Sequence, residues 1–235
     1  MRRQHPVVAI DGPAGAGKST VSRRVAQALG YTLLDTGALY RCVALRSVRE
    51  GAQDEGAIGA VAAGLAAEDA IQFRSAQQGP QRVLMNGEDV TQAIRTPEIS
   101  QGASKVSAIP AVRAALLDMQ RAVGRSGGVV VEGRDIGSVV FPDAEAKFFL
   151  TASVEARAKR RHLELQTNQD APSLEVVMRE VEERDRRDSS RPVAPLLQAE
   201  DAVLVDSTAL SIDQVVDTIV GRVRQVAEQL QAAPQ

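Results

Sequence analysis

The chain has 235 residues, 44% of them hydrophobic and 25% charged, with a formal net charge of -2. That length supports one sizeable core with room for a small insertion, and the near-neutral balance argues against a generic nucleic-acid binder. No apolar stretch is long enough to span a bilayer, the apolar run at 7–10 is too short for a secretory signal, and a single cysteine, Cys42, excludes an internal disulfide framework.

Residues 7–10, Val-Val-Ala-Ile, read as a buried strand. They lead into Gly12-Pro13-Ala14-Gly15-Ala16-Gly17-Lys18-Ser19, a complete phosphate-binding loop, and then Thr20. Val21, Val25 and Leu29 follow at helical spacing, so the loop joins a strand to a helix start. Small residues let backbone N–H groups converge on phosphate oxygens, and the helix N-terminus adds partial positive charge. Lys18 is suited to bridging the last two phosphates of a nucleotide, and Ser19 to holding Mg²⁺. A second apolar run, 31–34, precedes Asp35-Thr36-Gly37-Ala38-Leu39-Tyr40-Arg41. Thr36 sits where a helix cap is expected, and Arg41 about a turn and a half further on, so both are candidates for a second phosphate. Cys42 lies among Val43, Ala44 and Leu45 and reads as core filling.

Residues 66–100 break the strand–helix rhythm. Ile71 and Phe73 alternate, 77–80 read as a turn, Val83 and Met85 alternate, and Asn86-Gly87 is a tight-turn signal. A small antiparallel insertion is expected, entered through a loose helix at 52–67. Helix resumes at Pro97, and Val112, Leu116, Leu117, Met119 and Val123 form an apolar stripe with Arg113 one position off it. Further runs resembling the first strand lie at 129–131, 147–150 and 203–205, most of them apolar without alternation, as for strands buried on both faces. Glu132-Gly133-Arg134-Asp135 follows the first of these. The charge-dense stretch 153–191 is split into two helices at Pro172-Ser173. Arg184, Arg187 and Arg191 share a face of the second, with Asp188 beside them, and Glu180–Arg184, Glu182–Arg186 and Glu183–Arg187 are i,i+4 pairs. The last helix opens on the capping box Ser211-Ile-Asp-Gln214. Strands alternating with helices predict an α/β fold: a five-stranded parallel sheet of the P-loop NTPase type, flanked by helices, with ligands at the C-terminal strand edges.

These segments, in this order over about residues 5–230, resemble bacterial cytidylate kinases, nucleoside monophosphate kinases of the P-loop class. Leu34 to Arg41, Asn86-Gly-Glu-Asp-Val-Thr91, Ile94-Arg-Thr96, Glu132 to Gly137, Phe141-Pro-Asp143 and Glu183 to Arg191 carry the resemblance with the loop. It implies one kinase domain: core at 1–50, 101–152 and 200–235, an acceptor-binding insertion at 51–100, and a helical lid at 153–199. It implies ATP as donor, bound through Gly12 to Thr20, with Mg²⁺ on Ser19. CMP and dCMP are the implied acceptors, UMP more weakly. Thr36 and Arg41 match acceptor-phosphate positions. Ser104, Arg113 and Asp135 match positions around the cytosine. Arg134, Arg184 and Arg191 match phosphate-binding arginines, and Arg184 with Asp188 matches positions near the ribose. Two positions depart from the usual pattern: Thr36 stands where Ser is common, and Glu132 where Asp is common, which puts a water-mediated Mg²⁺ role in doubt.

The residue chemistry agrees. Cytosine's amino group donates to a carboxylate such as Asp135, while its N3 and O2 accept from groups such as Arg113 and Ser104. Two anions must meet, so cations from Lys18, Arg41, Arg134, Arg184, Arg187 and Arg191 are expected to assemble on lid closure. A monomeric cytoplasmic enzyme, without nucleic-acid or membrane partners, is the expectation. A kinase for another small acceptor and a GTP-binding switch are the alternatives; against the switch, the chain has no Asn-Lys-x-Asp motif.

Overall fold

The computed structural model describes residues 3–74, 81–166 and 172–232. The turn expected at 77–80 lies outside them. Strand β1 (Val7–Asp11) is buried along its whole length. The glycine-rich loop carries it into α1 (Lys18–Leu29), then β2 (Thr32–Asp35), α2 (Thr36–Glu50) and α3 (Glu55–Ala67). Three short strands follow, β3 (Ile71–Arg74), β4 (Arg82–Met85) and β5 (Glu88–Asp89), then α4 (Pro97–Val106) and α5 (Pro110–Val123). The chain continues through β6 (Val129–Gly133), a single wide helical turn at Ile136–Val140, β7 (Ala146–Thr151), α6 (Val154–Leu165), α7 (Leu174–Ser190), β8 (Val203–Asp206) and α8 (Ile212–Ala232).

The main sheet has the order β2-β6-β1-β7-β8. The β1–β6, β1–β7 and β7–β8 pairs are parallel. The chain leaves β1 towards one edge and later crosses from β6 to β7 over it. The C-terminal end of β1 is therefore the switch point, where open α/β sheets bind ligands. β1 and β6 are buried on both faces, as continuous Val/Ile runs predict. β8 departs from that expectation. It is the edge strand, and Val203 and Leu204 are 39% and 55% exposed.

The chain packs as two units, residues 1–33 with 124–235, and residues 34–123. In the first, α1 and α8 pack over β1 and β7 through Ile10, Val25, Phe148, Leu150, Ile219 and Val223. In the second, α2, α3, α4 and α5 share a core with the antiparallel sheet β3-β4-β5, built on Leu39, Val83, Met85, Ile94 and Leu116. The Asn86-Gly87 turn joins β4 to β5, with both residues at positive φ, 51° and 80°. That is the backbone a two-residue hairpin requires.

The capping box at α8 forms in full. The Ser211 N–H donates to Gln214 Oε1 at 2.9 Å, and the Gln214 N–H donates to Ser211 Oγ at 3.2 Å. Replacing Ser211 by Ala should cost about 1 kcal/mol. For a chain of this size that lowers Tm by about 2–4 °C, and a thermal melt indistinguishable from wild type would show that the cap contributes nothing.

Candidate active site

In the first unit the phosphate loop is held close to β7. Gly12 has φ 148°, and a Cβ there would lie 2.0 Å from the Leu150 carbonyl oxygen. Only glycine allows that approach. Lys18 begins α1, and its Nζ donates to the Gly12 and Pro13 carbonyls at 2.7 Å each. It is 7% exposed. Burial, with the Arg134 and Arg184 guanidiniums, holds its pKa well below the usual lysine range, while Glu132 and Asp11 oppose the shift. Beside it, Ser19 Oγ donates to Glu132 Oε2 at 3.1 Å.

The end of β6 carries the next charges. Arg134 Nε donates to Asp188 Oδ2 at 2.9 Å, and its Nη1 donates to the Gly133 carbonyl at 3.2 Å. Asp188, on α7, is 3% exposed. Burial alone would raise its carboxyl, but Arg134, Arg184 and Arg191 together hold it below the usual carboxylate range. Arg191 is itself buried and terminates α7 as its C-cap. The stretch is therefore not a solvated ion-pair face: Lys18, Glu132, Arg134, Arg184, Asp188 and Arg191 form one electrostatic cluster. Arg187 differs. Its Nε faces Glu183 at 3.9 Å, one of the i,i+4 pairs expected.

The second unit holds the other predicted residues. Asp35, not Thr36, is the N-cap of α2, and its Oδ1 accepts from the Ala38 N–H at 3.1 Å. Thr36 is instead the first helical residue and is buried. The two residues are neighbouring good cappers, and the helix begins one position earlier than expected. Arg41 reaches back to Asp35 at 3.6 Å. Arg113 is buried within the α5 face rather than beside it. Its guanidinium lies 5.7 Å from the Tyr40 ring centroid and donates to the Ser107 carbonyl at 3.3 Å. The Ser104 hydroxyl is buried and makes no hydrogen bond among the described residues, so it keeps a donor and an acceptor for a ligand. Cys42 is fully buried, and burial, with the Asp35 carboxylate adding to it, pushes its thiol up to about 12. It is inert filling.

A cytidylate kinase family model matches residues 8–225. The chain belongs to the cytidylate kinase family. It is 55% identical to the cytidylate kinase of Syntrophotalea carbinolica over 90% of this chain and 88% of that protein. It is 49% identical to the cytidylate kinase of Solibacter usitatus over 95% and 94%. A solved structure of an uncharacterised Eubacterium ventriosum protein aligns over 94% of this chain and 99% of its own, with TM-score 0.51 and 11% identity, which shows a shared fold alone. The chain is thus an enzyme, a phosphotransferase acting on CMP.

Motif reading passes over a buried cation that touches the phosphate loop. Arg157 is 4% exposed. It donates to the Ala14 carbonyl of the phosphate loop at 3.0 Å, to the Ala152 carbonyl at 2.9 Å, and pairs with Asp185 of α7 at 2.7 Å. The one signal for it is a cation near the start of α6, where the helix dipole disfavours one. Tyr40, beneath Arg113, has no signal beyond its place next to Arg41.

Asp188 gives a pH test. Its pKa is lower folded than unfolded, so its charge stabilises the protein above about pH 4 and that contribution is lost as pH falls through the depressed value. Melting temperature followed from about pH 5 to 3 should fall less steeply for Asp188→Asn than for wild type; parallel curves would show that its arginine partners do not stabilise the fold.

Proposed function

We propose that this kinase transfers the γ-phosphoryl group of ATP to a phosphate oxygen of CMP, giving ADP and CDP, with dCMP also accepted and UMP used more weakly. One observation carries the reading beyond family membership. Lys18 is buried, and beyond that burial the positive charges of Arg134 and Arg184 act on it and disfavour its ammonium form. A polyphosphate brought to the loop relieves that repulsion, and an isolated structural lysine gains nothing from such neighbours.

No strong base is required. The second pKa of a phosphate monoester is about 6, so the attacking oxygen is already largely deprotonated at neutral pH. The demand is for cations along the line of transfer. Gly12 to Thr20 hold the donor phosphates. Thr36 and Arg41 hold the acceptor phosphate. Arg134, Arg184 and Arg191 spread positive charge over the transferred group, Arg187 adds to it from the same helix, and Asp188 orients Arg134 and the ribose. Ser104, Arg113 and Asp135 read the cytosine.

The Ser19–Glu132 pair fits a divalent ion. Both are oxygen donors beside the phosphate loop, and among the described residues no cluster of three or more His, Cys, Asp or Glu offers a full cage. Mg²⁺ is commonly held by one or two protein oxygens with substrate phosphates. Ser19, with Glu132 through water, would hold Mg²⁺, which when bound neutralises charge developing on the phosphoryl oxygens.

We assign the core to 1–50, 101–152 and 200–235, acceptor binding to 51–100, and the lid to 153–199. In support, α6 and α7 form a hairpin around their own small apolar cluster, Ala158, Val177 and Val181. The enzyme works as a monomer in the cytoplasm.

An ADP-release assay over a panel of nucleoside monophosphates tests the reading. CMP should stimulate release; slow GTP hydrolysis indifferent to acceptor would instead indicate a switch. Lys18→Ala should lower kcat by about 10²-fold or more with little change in Tm, and near-normal turnover would remove Lys18 from the mechanism. Asp135→Asn should narrow the CMP over UMP preference by roughly 1–3 kcal/mol; an unchanged ratio would remove Asp135 from base reading.

A further inference from the structure

β1 ends on a buried carboxylate whose hydrogen bonds run to the backbone after β6. Asp11 is 5% exposed at the end of an otherwise apolar strand. Its Oδ1 accepts from the Ile136 N–H at 2.8 Å and its Oδ2 from the Gly137 N–H at 2.7 Å. Those are the first two amides of the helical turn Ile136–Val140. The opening N–H groups of a helical turn have no partner within it and are usually taken by the residue at its own N-cap. Here that residue is Asp135, at φ -145° and ψ 26°, and its side chain makes no capping bond. The cap comes from the neighbouring strand instead.

The placement is rigid. Asp11 lies opposite Gly133 in the β1–β6 register and opposite Phe149 in the β1–β7 register. The carboxylate is therefore fixed by the sheet, and it fixes the backbone just after Arg134-Asp135. Asp11 and Asp135 also repel each other, which disfavours Asp135 as a cap. The arrangement is costly. Burial pushes the Asp11 carboxyl up to about 6 against the pull of the two amides. An apolar residue would suit this strand end at no such cost, so the carboxylate is spent on the turn.

We propose that Asp11 is a positioning residue for acceptor recognition: by capping the Ile136–Val140 turn from β1, it sets the backbone of Arg134 and Asp135 and so the place from which Asp135 meets the acceptor base. The proposal rests on the reading of Asp135 given above. It also ties the acceptor-reading turn to the first residue before the donor loop.

Asp11→Asn and Asp11→Ala in the full chain test it beside Asp135→Asn, with Tm recorded for each. For Asp11→Ala the KM for CMP should rise about tenfold or more and the CMP over UMP ratio should narrow, while the KM for ATP stays within about twofold. Asp11→Asn keeps one acceptor and should fall between Ala and wild type. A residue that merely supports the fold would lower Tm without moving the nucleotide ratio. If the KM for ATP rises as much as that for CMP, Asp11 serves the phosphate loop and the proposal fails. If Asp135→Asn narrows the ratio and both Asp11 variants leave it unchanged, the proposal fails with the Asp135 reading intact. If Asp135→Asn leaves it unchanged, that reading falls and takes the proposal with it. Should Asp11→Ala not fold, the Asn variant decides alone.

Discussion

The confinement of like charges around a buried amine is the constraint on which this protein depends. Lys18 has its own loop carbonyls as acceptors and Glu132 and Asp11 as distant counter-charges, yet burial with Arg134 and Arg184 still disfavours its ammonium form. Such a cluster costs stability in the protein alone. The remaining architecture makes it tolerable. Asp188 neutralises Arg134 directly and is acted on by Arg184 and Arg191 as well. The cations are thereby kept rather than expelled to solvent.

Topology brings these groups together cheaply. A parallel sheet points every strand's carboxyl end to one edge, so β1 and β6 deliver Asp11, the loop, Glu132 and Arg134 to one place. Only α7 has to be brought in from a distant part of the sequence. It comes as the second arm of a hairpin that carries its own small apolar cluster, separate from the core under the sheet.

Much of this can be read from sequence because it is local. The loop needs glycines, a lysine and a serine at set spacing, and each requirement is met within eight residues. The hairpin at Asn86-Gly87 and the capping box at Ser211 are equally self-contained. Where reading slips, the deciding partner is remote or equivalent choices compete. Asp35 and Thr36 both cap well, and nothing within the segment ranks them. Arg113 looks peripheral to its apolar stripe, but Tyr40 from α2 gives its guanidinium a ring to pack on. Val203 and Leu204 look buried because nothing in a short apolar run says whether the strand is central or at the edge. Arg157 and Asp11 act on backbone groups 143 and 125 residues away, and no spacing rule reaches that far.

The ion pairs that link these elements argue for function rather than stability. A buried pair generally does little better than apolar packing, because desolvation offsets the attraction. The Arg134–Asp188 pair joins α7 to the end of β6, the Arg157–Asp185 pair joins it to α6, and both are largely buried. Arg157 also grips the Ala14 carbonyl in the middle of the phosphate loop. One guanidinium thus reports the loop's conformation to the residue next to Arg184. Apolar contacts would hold α7 as firmly, but they would not respond to an anion arriving at the loop. A guanidinium that anchors a helix is able to pair with another anion as well, which an apolar contact cannot do.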